Sequence, residues 1–131
     1  MMVSVGSKSG ERPFCFPMQR ISLTQDEKII MFLKVGHRGA KSYEIENTLE
    51  SFLRAIDLGV NALELDVRKS KDGKLIISHD DNLKKVYDED IHVGEASLEE
   101  LKRVTKNRIA TLDEALHAID GKVDRILVEL K

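Results

Sequence analysis

Between Phe32 and Val67 the hydrophobic pattern runs from period two to a helical period and back. Leu33, Val35 and His37 fall on one face of Phe32–Gly36 and the residue after it, Lys34 and Gly36 on the other, which predicts a first strand. Leu49, Phe52, Leu53 and Ile56 then recur at helical spacing. Asn47 is predicted to cap this helix, with Glu50 three residues on completing a capping box, and Gly59 to stop it. Leu63, Leu65 and Val67 next alternate with Glu64 and Asp66, giving a second strand. Strand, helix, strand in about 35 residues is a βαβ unit, so the sheet begins parallel.

Lys71-Asp72-Gly73-Lys74 follows, then the apolar run Leu75–Ser78. Asp-Gly between two such runs signals a tight turn, because its positions favour positive φ. Arg68–His79 therefore reads as a hairpin rising from the second strand and bringing His79 back beside Asp66. Asp80–Gly94 is polar and aperiodic, an excursion over the strand ends. Ser97 with Glu100 and Thr111 with Glu114 are two further capping boxes, starting helices at Leu98 and Leu112. Ile126, Val128 and Leu130 alternate with Leu127, Glu129 and Lys131 in a third strand.

The first 30 residues carry no comparable period. They collect Gly, Ser and the stretch Pro13-Phe14-Cys15-Phe16-Pro17, the composition of a flexible leader. Met31, directly before the first strand, is an alternative start. From 31 to 131 the chain reads as one domain. With 131 residues and a formal net charge of −2, the protein has room for a single core and gives no electrostatic case for nucleic acid. Cys15 is the single cysteine, which excludes an internal disulfide. No apolar run reaches the roughly 18 residues of a membrane-spanning helix, so the expected location is the cytoplasm.

The chemistry gathers at strand ends, where α/β folds place their sites. Residues i and i+2 of a strand share a face, so Glu64 and Asp66 point the same way. Two such carboxylates repel unless a cation sits between them, and Glu129 on the polar face of the third strand can add an oxygen ligand. An all-carboxylate set suits a hard cation, Mg²⁺ or Ca²⁺. His37 and His79 fit general acid–base work. Arg38 can grip a phosphoryl group with its planar fork, and Lys131 can neutralise phosphate charge. Taken singly, each is most often an ordinary solvated or paired residue. His92 and His117 fall at no strand end and read as surface histidines.

Together these segments resemble the glycerophosphodiester phosphodiesterases: His37-Arg38-Gly39-Ala40, Glu46-Asn47-Thr48, Glu64-Leu65-Asp66-Val67, Lys71-Asp72-Gly73, His79-Asp80, Thr111-Leu112 with Glu114, and Glu129-Leu130-Lys131. The resemblance runs from about Phe32 to Lys131. It implies a TIM-type (β/α)₈ barrel with an insertion after its second strand, of which this chain carries about the first three strands. It also implies that His37 and His79 are the acid–base pair, that Arg38 and Lys131 bind phosphate, that Glu64, Asp66 and Glu129 hold one divalent cation, and that Glu46 and Asn47 support the site. The implied reaction is hydrolysis of a glycerophosphodiester, a small-molecule substrate, to glycerol 3-phosphate and an alcohol. Three places depart from the family pattern: Ile45 and Ala110 stand where proline is usual, and Lys84-Lys85-Val86 where Arg-Thr-Thr is.

A barrel of this type needs roughly 250 residues, and three parallel strands leave an open edge. Three readings therefore stand: a phosphodiesterase completed by a missing C-terminal half or a second chain, a truncated non-catalytic remnant that binds metal or a partner, and a related barrel phospholipase acting on another phosphodiester.

Overall fold

The centre of the sheet is the longest strand, Ala62–Lys69, in a computed structural model that describes residues 2–6 and 32–131. In chain order the elements are β1 (Met2–Gly6), β2 (Val35–His37), α1 (Leu49–Asp57), β3 (Ala62–Lys69), β4 (Leu75–Ile77), α2 (Lys84–Tyr87), α3 (Leu98–Val104), α4 (Leu112–Ile119) and β5 (Arg125–Leu130). The strand order is β1-β5-β3-β2, with β4 paired to β3. β2 and β5 flank β3 in parallel, and β4 returns antiparallel with Val67 opposite Ile77. The expected βαβ unit and hairpin are both present.

Side chains of β3 divide as the alternation predicts. Leu63, Leu65 and Val67 enter the main core with Phe52 and Ala55 of α1, Ala115 and Ile119 of α4, and Ile126 and Val128 of β5. Full burial of Phe52 contributes roughly 2–3 kcal/mol. α1 lies close over β2 because position 36 is glycine: a Cβ there would come within 2.9 Å of Leu63 and 3.0 Å of Ala55. A second, smaller core joins Ile76, Leu83, Val93, Ala96, Leu101 and Ile109. It holds the excursion together. Single apolar anchors, Leu83 and Val93, pin that stretch at separate points, which is why it shows no period.

Three expectations are corrected. The cap of α1 is Thr48, whose side chain accepts from Ser51 N, and not Asn47; Asn47 is left-handed (φ 57) and its side chain turns elsewhere. The first strand begins at Val35 rather than Phe32, because the Lys34 carbonyl takes both Asn61 N and Ala62 N and interrupts the ladder. Met2–Gly6, read as part of a flexible leader, is a strand along the outer edge of β5, with Met2 opposite Glu129 and Gly6 opposite Arg125. Val3 and Val5 do alternate with Ser4, but five residues are too short a window to stand out. The Pro13–Pro17 stretch, Cys15 and Met31 lie outside the described residues. Among the described residues no helix is long and apolar enough to cross a membrane.

Candidate active site

Asp66 sits fully buried on β3, and its two oxygens have different fates. Oδ2 accepts from Asn47 Nδ2 at 3.0 Å and lies 3.3 Å from Arg38 Nε. Oδ1 is buried without a hydrogen bond among the described residues, with Lys131 Nζ 3.7 Å away. A buried carboxylate oxygen left in this state costs about 1–3 kcal/mol unless something completes it. Glu64, two residues earlier, and Glu129, directly opposite Asp66 in the parallel register, face the same space. One oxygen from each of the three lies within 4.8 Å of the others.

These carboxylates are tuned apart. Burial chiefly, then repulsion from Asp66, pushes the Glu64 carboxyl above its ordinary range. A hydrogen bond from Lys131 holds Glu129 below it. An orphaned buried oxygen, a neighbour resisting ionisation and a third acid within reach fit a divalent cation bound by oxygen ligands.

The loop after β2 is held by its own backbone. Arg38 is left-handed (φ 56), a conformation rare outside glycine that persists only where its surroundings impose it. Its amide donates to Glu64 O at 3.0 Å and Glu64 Oε2 at 3.2 Å. Its guanidinium reaches Glu46 Oε1 at 3.2 Å. Gly39 follows (φ 79), packed so tightly on α1 that a Cβ would meet the Ser51 carbonyl carbon at 2.7 Å. Asn47 joins loop to strand: beyond its bond to Oδ2, its Oδ1 accepts from Asp66 N at 3.3 Å.

The two histidines present different faces. His37 Nδ1 lies 3.2 Å from Lys41 Nζ, and its Nε2 lies 3.7 Å from Glu64 Oε2. An ammonium can only donate, so the Nδ1 of His37 accepts and its ring proton sits on Nε2. His79 follows Ser78, whose amide donates to Asp66 O at 3.0 Å, and Arg68 Nε donates to the His79 carbonyl at 2.8 Å. His79 Nδ1 lies 2.7 Å from Asp80 Oδ1, and this bond holds the Asp80 carboxyl below its ordinary range. Asp80 as an ionised acceptor places the His79 proton on Nδ1 and leaves Nε2 free to accept.

The structure thus gathers His37, Arg38, Glu46, Asn47, Glu64, Asp66, His79, Glu129 and Lys131 at one end of the parallel strands. His92 and His117 stay away from it, exposed and bonded to Asp81 Oδ2 and the Asp113 carbonyl. Sequence reasoning missed Lys41, because its approach to His37 runs through a turn with no period. It missed Ser51 because a buried helical serine looks like any other.

Comparison with known proteins bears on this arrangement. The model of the glycerophosphoryl diester phosphodiesterase family matches residues 37–131.

The chain belongs to that family.

A glycerophosphodiester phosphodiesterase of Caldanaerobacter subterraneus is 33% identical over 109 residues, covering 76% of this chain and 45% of the relative. The human lysophospholipase D GDPD1 is 34% identical over 92 residues, 70% of this chain and 29% of its own length. The crystal structure of the Thermotoga maritima glycerophosphodiester phosphodiesterase superposes with a TM-score of 0.72 at 42% identity, over 78% of this chain and 45% of that one. An Oleispira antarctica phosphodiesterase, solved in complex with the product sn-glycerol-3-phosphate, gives 0.68 at 34% identity, over 74% and 43%. The chain spans less than half the length of these relatives. Family members of this kind are phosphoric diester hydrolases, and the likeness in structure covers the parallel sheet and its helices.

Proposed function

We propose that this chain carries the metal-binding and acid–base half of a glycerophosphodiester phosphodiesterase, whose complete sheet is a (β/α)₈ barrel. The observation that carries the reading is the buried Oδ1 of Asp66, without a hydrogen bond among the described residues, set among Glu64 and Glu129 with Arg38 and two oppositely protonated imidazoles around it. Glu64, Asp66 and Glu129 hold one divalent cation, Mg²⁺ or Ca²⁺, which when bound supplies positive charge to the phosphoryl oxygens. Arg38 and Lys131 bind the same phosphoryl group. Glu46 fixes the Arg38 guanidinium, and Asn47 fixes the orientation of Asp66.

His79 takes the proton of the attacking oxygen at Nε2, while Asp80 steadies the imidazolium through Nδ1. His37 gives its Nε2 proton to the leaving oxygen as Lys41 Nζ passes a proton to Nδ1, so the ring stays neutral; the product alcohol departs, and glycerol 3-phosphate remains. The substrate is a soluble small-molecule diester, and the cytoplasm is the proposed compartment.

A second substrate class is favoured by one observation. The human relative, 34% identical over 92 residues, is named a lysophospholipase D. A lysophospholipid carries a phosphodiester that the same residues can bind.

The test is release of glycerol 3-phosphate from glycerophosphodiesters, with lysophospholipids assayed in parallel. EDTA is expected to abolish turnover and His79→Ala to cut it by about 10²–10⁴-fold. Turnover indifferent to both overturns the mechanism. Metal binding with no turnover of any diester by the 131-residue chain favours the non-catalytic reading.

A further inference from the structure

The loop that carries Arg38 rests on a buried hydroxyl that the proposed chemistry does not use. Ser51, in the first turn of α1, is fully buried, and its Oγ donates to the Arg38 carbonyl at 2.9 Å. Its amide donates to the Thr48 cap, and its carbonyl accepts from Ala40 N at 3.0 Å. Those two contacts belong to any residue at this position. Only the hydroxyl is specific to serine. The same Arg38 carbonyl accepts from Asn47 N at 3.0 Å, so its two lone pairs are both engaged and its peptide plane is fixed. That plane sets the left-handed turn from which the Arg38 side chain reaches Glu46 and Asp66.

We infer that Ser51 is a positioning residue: acting through the Arg38 carbonyl, its hydroxyl aims the Arg38 guanidinium for phosphate. The inference rests on the reading of Arg38 as a phosphate ligand. Ser51 touches neither metal ligand nor substrate. Replacing it by alanine keeps the amide and carbonyl contacts and suits a helix, so the substitution isolates the hydroxyl.

The experiment is a thermodynamic cycle on the full chain with inorganic phosphate as probe in the presence of Mg²⁺, followed by calorimetry or by chemical shift. Ser51→Ala is expected to weaken phosphate binding about tenfold, the scale of one buried hydrogen bond, and to lower Mg²⁺ affinity far less. Arg38→Gln weakens phosphate binding by itself, and adding Ser51→Ala to it is expected to cost nothing more. A merely structural role predicts the opposite: additive losses, and Mg²⁺ affinity falling with phosphate affinity. Either of those results, or phosphate affinity unmoved by Ser51→Ala, overturns the inference while leaving the proposed function standing. Wild-type protein that binds Mg²⁺ and no phosphate overturns both.

Discussion

At the scale of single residues, Glu64 is a carboxylate whose charge the fold disfavours. It is buried beside Asp66 and Glu129, and its carboxyl is raised above the ordinary value of 4.5. The native state therefore holds more protons than the unfolded chain in the window just above that value, and stability falls as pH rises through it. Glu64→Gln keeps an acceptor for the Arg38 amide and removes the charge. In EDTA this variant is expected to melt several degrees above wild type near pH 8, the advantage vanishing as pH drops toward 4.5. With a saturating divalent cation the order reverses, since a cation stabilises whichever chain binds it. Thermal melts across pH, with and without metal, read both effects. Equal melting temperatures in EDTA at every pH would remove the argument that these acids repel one another when no cation lies between them.

The residue scale is also where the sequence was most and least informative. Glu64, Asp66 and Glu129 were legible because strand alternation puts chemistry on one face, and the parallel register then sets Asp66 opposite Glu129. Asn47 was misread because asparagine before Thr-Leu-Glu scores as a cap, whereas tertiary contact with Asp66 decides its left-handed backbone. Local pattern cannot carry that information. The bond between Ser51 and Arg38 is equally invisible, since it joins two positions 13 apart through a loop whose path depends on Gly39.

At the scale of elements, the correction at α1 gives a discriminating pair of variants. Thr48 caps the helix, so Thr48→Ala is expected to cost about 1 kcal/mol of stability. Asn47 caps nothing and already occupies a left-handed conformation open to glycine, so Asn47→Gly adds no steric strain. Its loss falls instead on Asp66, which forfeits the donor to Oδ2. Asn47→Gly is therefore expected to lower metal affinity more than Thr48→Ala does, although the two positions are adjacent. Mg²⁺ titration beside denaturant unfolding separates the effects; an equal metal defect in both would mean that the end of α1, rather than the Asn47 side chain, organises the site. The hairpin and the two later helices were readable because turn and cap chemistry are local. Thr111 does form the full capping box with Glu114. Ser97 forms only the half in which its side chain accepts from Glu100 N.

At the scale of the whole molecule, the two sides of the sheet are unequal. β1 runs along the edge of β5, whereas β2 has β3 on one side and no strand on the other among the described residues. Exposed apolar residues lie beside that free edge, with Tyr43 (66% exposed), Leu58 (51%) and Val35 (41%) lining the groove between β2 and α1. Unpaired backbone donors and acceptors beside such a surface form a template for another strand, and natural edges are blunted by charge or covered. Further barrel strands would cover it in the complete protein we propose. In the 131-residue chain the same edge is expected to drive association that grows with concentration. Val35→Lys places a charge on the exposed first residue of β2, on the face shared with His37 but outside the main core and the carboxylate cluster. It is expected to return the chain to a species near 14.8 kDa in sedimentation, with Mg²⁺ affinity retained. A wild-type chain that stays monomeric at all concentrations would mean that the three residues of β2 are too short an edge to recruit a partner, and that closure of the sheet must be driven by the apolar groove between β2 and α1 instead.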